Sequence, residues 1–321
     1  AQGVALSAGL LGATATVYMP EGAPLPKVAA TRGYGAEVVL TGRTVDAALA
    51  AAQRHAERTG AVFIHPFDHP DVIAGQGTVG LEILERLPQA ATIVLPLGGG
   101  GLTAGVAVAI KRLRPGARII GVQAERAAAY PASLAAGEPV RVEPASTMAD
   151  GIAVGRPGDL PFELIRHLVD GVVTVSEEAI SRALLLCLER AKLVVEPAGA
   201  AGVAAILERP QVLEPPVVAV LSGGNIDPLL LSKVLRYGLA AAGRYMAFRV
   251  RLPDRPGVLA ALLGTLAELG ANVLDVAHER VAPGLHLGEV EVLLHLETRG
   301  PDHGEEVLGA LRRDGYRLLL D

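Results

Sequence analysis

The 321-residue sequence has no tryptophan, one cysteine and three methionines, and aromatic residues make up only 3% of it. Its core must therefore come from Ala, Val, Leu and Ile, which a 50% hydrophobic composition supplies in quantity. A single cysteine, Cys187, excludes an intrachain disulfide framework and a multi-cysteine metal site. Within the apolar stretch Ile180–Leu193 it reads as a small core residue. Runs of Lys and Arg are also missing, and the formal net charge is −5. That composition argues against a nucleic acid as partner. No apolar run reaches the roughly 18 residues of a membrane span without a charge or turn residue, and no secretory signal pattern is present. The expectation is a cytoplasmic protein with neither a membrane nor a nucleic acid as partner. The opening Ala1-Gln2-Gly3-Val4-Ala5-Leu6 reads as the middle of a helix, so the native N-terminus is expected elsewhere.

Helix-period and strand-like segments alternate through most of the chain. Short apolar strands are expected at Ala15–Met19, Glu37–Leu40, Val62–Ile64, Thr92–Leu97, Arg118–Gln123, Gly171–Val175 and Val217–Leu221. Helices are expected between them, among them Pro26–Tyr34, Thr78–Arg86, Leu102–Leu113 and Glu177–Leu193. This order signals a parallel sheet with crossover helices. Residues Pro131–Gly158, rich in Pro, Gly and small polar side chains, read as a long functional loop.

The pattern changes near Ala242-Gly243-Arg244. In Met246–Leu252, Phe248, Val250 and Leu252 alternate with Arg249 and Arg251, as in a half-buried strand. Helix Pro256–Leu269, strands Asn272–Val281 and Gly288–Thr298, helix Gly304–Arg313 and strand Tyr316–Leu320 complete a βαββαβ order. That order fits a ferredoxin-like sandwich.

The strongest chemical signal is Gly98-Gly99-Gly100-Gly101-Leu102, between an apolar strand and a helix. Four residues without side chains let backbone N–H groups approach a small anion, and the helix N-terminus adds unpaired donors. A phosphate is the natural guest. Gly99, Gly101 and Ala104 also satisfy G-x-G-x-x-A, with Glu125 ending the next strand, which keeps open an NAD(P)-dependent oxidoreductase. The second signal is Leu221-Ser222-Gly223-Gly224-Asn225, a hydroxyl and two glycines after another apolar strand. A serine there can meet a ring nitrogen without forcing its protonation. His65 and His69 have helical spacing, but Pro66 and Pro70 argue against a helical metal pair. Glu177-Glu178 and Glu305-Glu306 sit at helix starts, where the dipole accounts for them.

Met19-Pro20-Glu21, Tyr34-Gly35-Ala36-Glu37, His65-Pro66-Phe67-Asp68, Gly75-Gln76-Gly77-Thr78, the tetraglycine turn, Ala149-Asp150-Gly151 and Ser222-Gly223-Gly224-Asn225 occur in this order. Together they resemble the threonine dehydratases (threonine ammonia-lyases), which have the tryptophan-synthase-β-like fold type II of pyridoxal-phosphate enzymes. The resemblance implies a small subdomain remnant over 1–63, a large cofactor-binding subdomain over 64–244, and deamination of L-threonine or L-serine. Racemisation shares the same cofactor site. It further implies pyridoxal 5′-phosphate held by Gly98, Gly99, Gly100, Gly101 and Leu102, with Ser222 at the pyridine nitrogen. Asp150 and Gly151 would lie beside the ring and substrate. Glu196 and the Ala200 carbonyl would be candidate ligands of a monovalent or divalent cation, although Gly202 stands where some relatives add a ligand. The family's catalytic lysine has no counterpart among Lys27, Lys111, Lys192 and Lys233, each read as a solvated surface group, so the lysine is expected upstream of Ala1 and this chain alone is expected to be inactive.

Residues 245–321 resemble an ACT regulatory domain, through Asp254-Arg255-Pro256-Gly257-Val258-Leu259 and Gly270-Ala271-Asn272-Val273. Pro256 and Gly257 would present backbone donors to an amino-acid carboxylate, while Asp254 and Asn272 would meet its ammonium. Isoleucine is the effector expected, acting between paired ACT domains in a dimer or tetramer, as in feedback control of isoleucine biosynthesis. A non-catalytic amino-acid sensor is the remaining alternative.

Overall fold

Apolar segments bounded by turn residues form ten strands among the described residues. The computed structural model describes every residue except Pro144, Ala282, Pro283, Leu320 and Asp321. The chain divides into two units, Ala1–Leu231 and Ser232–Asp321, so helix Pro228–Ala241 straddles the division.

In the first unit, β1 (Thr16–Met19) and β2 (Glu37–Leu40) pair in parallel, Thr16 opposite Glu37. β3 (Thr92–Pro96), β4 (Arg118–Ala124), β5 (Gly171–Val175) and β6 (Val217–Ala219) form a parallel sheet in the order β5-β4-β3-β6. Every residue of β3 is buried, as expected of a parallel strand covered on both faces. The chain steps from β3 outward to β5, then returns to the other side of β3 for β6. Such a reversal opens a crevice at the carboxyl ends of the two strands that flank it. Here those are β3 and β6, with Val94 opposite Ala219.

Ile93 and Leu95 pack with Val106, Ala107, Ile110 and Ile119 in one fully buried cluster. At roughly 1.5–3 kcal/mol for each fully buried aliphatic side chain, this cluster anchors the turn that follows β3. Helices Pro70–Arg86 and Gly101–Leu113 meet backbone to backbone. A Cβ on Gly77 would lie 3.1 Å from the Gly105 carbonyl oxygen, and one on Gly105 would overlap the Ile73 carbonyl.

The second unit has an antiparallel sheet of β7 (Tyr245–Pro253), β8 (Asn272–Glu279), β9 (Glu289–Glu297) and β10 (Arg317–Leu319), in the order β10-β7-β9-β8. Helices Val258–Glu268 and Pro301–Arg313 supply the crossings. Phe248, Val250 and Leu252 point into a core with Leu262, Leu266, Val292, Leu294 and Leu311. This is the ferredoxin-like arrangement that the βαββαβ order implies.

Several elements differ from expectation. Val62 and Ile64 form no strand; both are exposed and have no strand neighbour. The helix expected from Thr78 begins at Pro70, because proline suits a first helical turn and His69 Nδ1 accepts the Asp71 N–H at 3.2 Å. The expected loop Pro131–Gly158 carries the end of a helix, Tyr130–Ala136, which Gly137 stops at φ 77°. Its Pro144 lies outside the described residues, as does Leu320 of the expected last strand. The helix expected to reach Leu193 ends at Leu186, passes into a π-helical turn at Cys187–Ala191, and stops at left-handed Lys192. In the second unit Gly257 takes φ 88°, so the helix begins at Val258 and leaves Pro256 in the preceding turn.

Lys111 is not a solvated surface group: its Nζ lies 2.8 Å from Asp170 Oδ2 and donates to the Ala117 carbonyl, also at 2.8 Å. Among the described residues no helix is long and apolar enough to cross a membrane.

Candidate functional site

Pro96 ends β3, and Gly98 to Gly101 carry the chain into helix Gly101–Leu113 at the crevice described above. The turn is walled by neighbouring side chains. A Cβ on Gly99 would lie 2.5 Å from the Phe67 ring, and one on Gly101 would lie 2.9 Å from the Phe67 carbonyl oxygen. Gly100 has φ 105°, and a Cβ there would overlap the Tyr130 hydroxyl. Tyr130 Oη donates to the Gly99 carbonyl at 3.3 Å, and the Gly158 N–H donates to the same oxygen at 3.0 Å.

Residues 65–68 hold this wall in place. His65 Nδ1 accepts the N–H groups of Phe67 at 3.3 Å and Asp68 at 2.8 Å. Burial pushes the His65 imidazole below its ordinary pKa, against the pull of Asp68, which favours the neutral acceptor form. The Asp68 carboxylate accepts the N–H groups of Asp159 at 2.9 Å and Leu160 at 3.1 Å. Burial, reinforced by the Asp68 charge, pushes the Tyr130 phenol far up, so it stays a neutral donor.

The N–H groups of Gly98, Gly99, Gly100, Gly101 and Leu102 find no acceptor among the described residues. Gly99, Gly100 and Gly101 are buried. Buried N–H groups without a partner cost about 1–3 kcal/mol each, so several together mark a site built for an anion. A phosphate at the helix N-terminus satisfies them.

Ser222 leaves the end of the adjacent strand, β6, where the Val220 N–H donates to the Val94 carbonyl at 3.0 Å. With Leu193, Val194, Val195, Leu221, Gly223 and Gly224 it lines a cleft of about 230 Å³. An engineered cavity of roughly 150 Å³ takes a benzene ring, so this cleft has the scale of one aromatic ring. The tetraglycine turn does not line it.

Asp150 and Gly151 form an exposed 3-10 turn between the two loops. A Cβ on Gly98 would lie 3.0 Å from Ile152 Cα, and one on Gly151 would lie 3.3 Å from Glu196 Oε1. The Glu196 N–H in turn donates to the Gly223 carbonyl at 2.9 Å. Tetraglycine turn, Asp150-Gly151, Glu196 and the Ser222 turn are therefore linked in one contiguous chain of contacts.

Glu196 precedes helix Pro197–Glu208 and offers that helix no side-chain cap. Burial pushes its carboxyl up; Lys27 pulls it back and Asp150 adds to the rise. Half-buried Lys27 lines one narrow cleft with Asp150, Glu196, Asn225 and Asp227. Ala200 lies in the first turn of the same helix, its N–H bonded to the Glu196 carbonyl at 3.1 Å. Among the described residues no three His, Cys, Asp or Glu side chains gather as a metal site.

In the second unit Asp254 is paired with Arg280 at 3.1 Å, and Asn272 Nδ2 donates to Glu297 Oε2 at 3.1 Å. Helix Val258–Glu268 has no side-chain cap, and the N–H groups of Gly257, Leu259 and Ala260 have no acceptor among the described residues. Sequence reasoning passed over the structural roles of Phe67, Asp68 and Tyr130. The motif His65-Pro66-Phe67-Asp68 was a signal for the first two; Tyr130, in an Ala-rich stretch, carried none.

A family profile described as pyridoxal-phosphate dependent enzyme matches residues 1–223, and the ACT domain profile matches residues 246–313. The chain is 53% identical over 317 residues to an L-threonine ammonia-lyase of Geobacter sulfurreducens, covering 98% of this chain and 79% of that one. To an L-threonine ammonia-lyase of Thermotoga maritima it is 50% identical over 320 residues, covering 100% and 80%. Among solved structures it is similar to a threonine deaminase of T.th., with TM-score 0.67 and 45% identity over 70% of this chain and 74% of that one.

Proposed function

Because the chain belongs to the pyridoxal-phosphate dependent enzymes and carries a C-terminal ACT domain, we propose that it deaminates L-threonine, and L-serine as well, by β-elimination. The products are 2-oxobutanoate (pyruvate from serine) and ammonia. The similarity behind this reading is not confined to one domain: both L-threonine ammonia-lyases match nearly the whole chain. The family sets aside the nicotinamide-dependent alternative.

The observation that carries the reading is the row of unpaired N–H groups from Gly98 to Leu102, at the point where the strand order reverses. These donors, with the positive end of helix Gly101–Leu113, would hold the cofactor phosphate. Ser222 would meet the pyridine nitrogen as a neutral hydrogen-bond partner. Bound there, pyridoxal phosphate supplies an electron sink for the electrons released when the substrate Cα–H bond breaks. The protein's own share is positional. Phe67 and Tyr130 keep the phosphate turn rigid, and Asp150 with Gly151 borders the substrate side. Glu196 and the Ala200 carbonyl would contribute to a cation site, with Lys27 as competing charge. Lys27, Lys111, Lys192 and Lys233 are given no catalytic part.

The same reading has an amino-acid effector, isoleucine, at Asp254, Pro256, Gly257 and Asn272, and a cytoplasmic homo-oligomer of two or four copies. Its support is the ACT domain, whose strands β8 and β10 lie at the sheet edges among the described residues, where a second copy would pair. The test is turnover by full-length protein supplied with pyridoxal phosphate. Equal amounts of 2-oxobutanoate and ammonia from L-threonine are expected. D-allo-Threonine as the main product, inverted at Cα alone, would shift the assignment to racemisation. Oxidation coupled to a nicotinamide, with no ammonia released, would overturn it.

A further inference from the structure

Glu177 opens helix Glu177–Leu186, where the helix dipole alone would explain an acid. Its carboxylate does something more specific. One oxygen accepts the Thr147 hydroxyl, and the other accepts the Met148 N–H at 2.8 Å. The helix has its own cap in Ser176, whose Oγ accepts the Ala179 N–H at 3.1 Å, so capping does not need Glu177. Thr147 Oγ1 in turn accepts the Ala149 N–H at 3.1 Å.

Three successive residues, 147 to 149, are therefore tied to one another and to Glu177. Ala149 is fully buried and comes immediately before Asp150-Gly151. The strip they lead into reaches the phosphate turn on one side, where Ile152 lies under Gly98, and the Glu196 helix on the other, where Gly151 abuts Ala198. Elsewhere the same segment is fastened by bonds such as Ala145 N–H to Arg126 O at 2.8 Å and Val142 N–H to Gly155 O at 2.7 Å.

We propose that Glu177 is a positioning residue for the amino-acid substrate: through Thr147 and Met148 it sets where Asp150 and Gly151 stand. The proposal rests on the assignment of Asp150-Gly151 to the substrate side. Glu177 touches neither substrate nor cofactor, so its removal acts on substrate binding and leaves the phosphate turn intact.

The test uses full-length holoenzyme with Glu177→Gln, Thr147→Val and the double variant. Glutamine keeps the size of the side chain but turns an NH₂ toward one of the two donors. Each single variant is expected to raise the KM for L-threonine about tenfold, the equivalent of one hydrogen bond to a charged group, while kcat changes far less. Cofactor affinity and absorbance stay those of the parent. The double variant is expected to be no worse than the poorer single one, because both break the same tether. Unchanged KM in both single variants overturns the proposal, and so do fully additive effects. If Glu177→Gln fails to fold, Thr147→Val, which removes only the hydroxyl, decides by the same KM criterion. If the parent binds pyridoxal phosphate but does not turn over threonine, the functional reading fails separately. Hydrogen exchange at residues 145–151 then decides the tether: faster exchange in the variants supports it, and parent-like exchange overturns it.

Discussion

Gly100 is constrained twice, by a left-handed φ of 105° and by the Tyr130 hydroxyl standing where a Cβ would go. Gly100→Ala therefore combines backbone strain with a steric clash at a fully buried phenol. Strain of that kind costs about 1–3 kcal/mol, and relief requires Tyr130 or Pro161 to move. The variant is expected to lose both thermal stability and affinity for pyridoxal phosphate, since the shifted turn carries the unpaired N–H groups. Tyr130→Phe is the control. It removes one 3.3 Å hydrogen bond to Gly99 and keeps the ring, so it should cost about 1 kcal/mol and leave cofactor binding nearly intact. Melting curves with and without cofactor separate the two. Equal, parent-like cofactor affinity in Gly100→Ala would remove the turn from the binding site.

Asp170 works at the level of elements. It joins helix Gly101–Leu113 to the start of β4, through Lys111 Nζ at 2.8 Å and the Ile119 N–H at 2.7 Å. Burial pushes its carboxyl up, but the Lys111 hydrogen bond, the Ile119 N–H and the Lys111 and Arg118 charges outweigh that and hold it below the usual range. A depressed folded pKa stabilises above the ordinary carboxylate value, and the contribution is lost as pH falls through the lower, folded value. Because the pair is partly exposed, Asp170→Asn should cost only about 1 kcal/mol at neutral pH, and the difference should shrink in acid. Denaturant melts at pH 7 and pH 3 check this; an equal difference at both would exclude the charged pair as the cause.

Asp170 and its partner also show what the sequence did and did not disclose. Strands β2 and β5 are legible to the residue, because an apolar run between turn residues has few alternatives. Lys111 was misread, because helical periodicity cannot show that an acid 59 positions on will return to its side chain. Val62–Ile64 has strand-like composition, but composition cannot provide a strand to pair with. Gly98 to Gly101 and Ser222 stood out from spacing alone, whereas Glu177 looked like an ordinary acid at a helix start until its partners in a distant loop were placed.

At the scale of the whole molecule, regulation requires that an effector in the second unit and a substrate in the first share a free energy. Gly257, with φ 88°, turns the chain into helix Val258–Glu268, where the N–H groups of Gly257, Leu259 and Ala260, without an acceptor among the described residues, are open to a carboxylate. Asp254 is already paired with Arg280, so an amino-acid ammonium there must compete with a guanidinium, and neutralising that competition strengthens binding. Isoleucine should therefore bind the full-length protein and raise the threonine concentration needed for half-maximal turnover. Arg280→Met should tighten isoleucine binding, while Gly257→Ala should weaken it, because a left-handed φ disfavours a side chain. Coupling is reciprocal, so a non-reacting threonine analogue must weaken isoleucine binding by the same factor as isoleucine weakens the analogue. Calorimetry in both orders measures the two factors. Isoleucine that binds and slows turnover but leaves the affinity for the analogue unchanged acts on turnover alone, and isoleucine that neither binds nor inhibits would leave the second unit without the effector assigned to it.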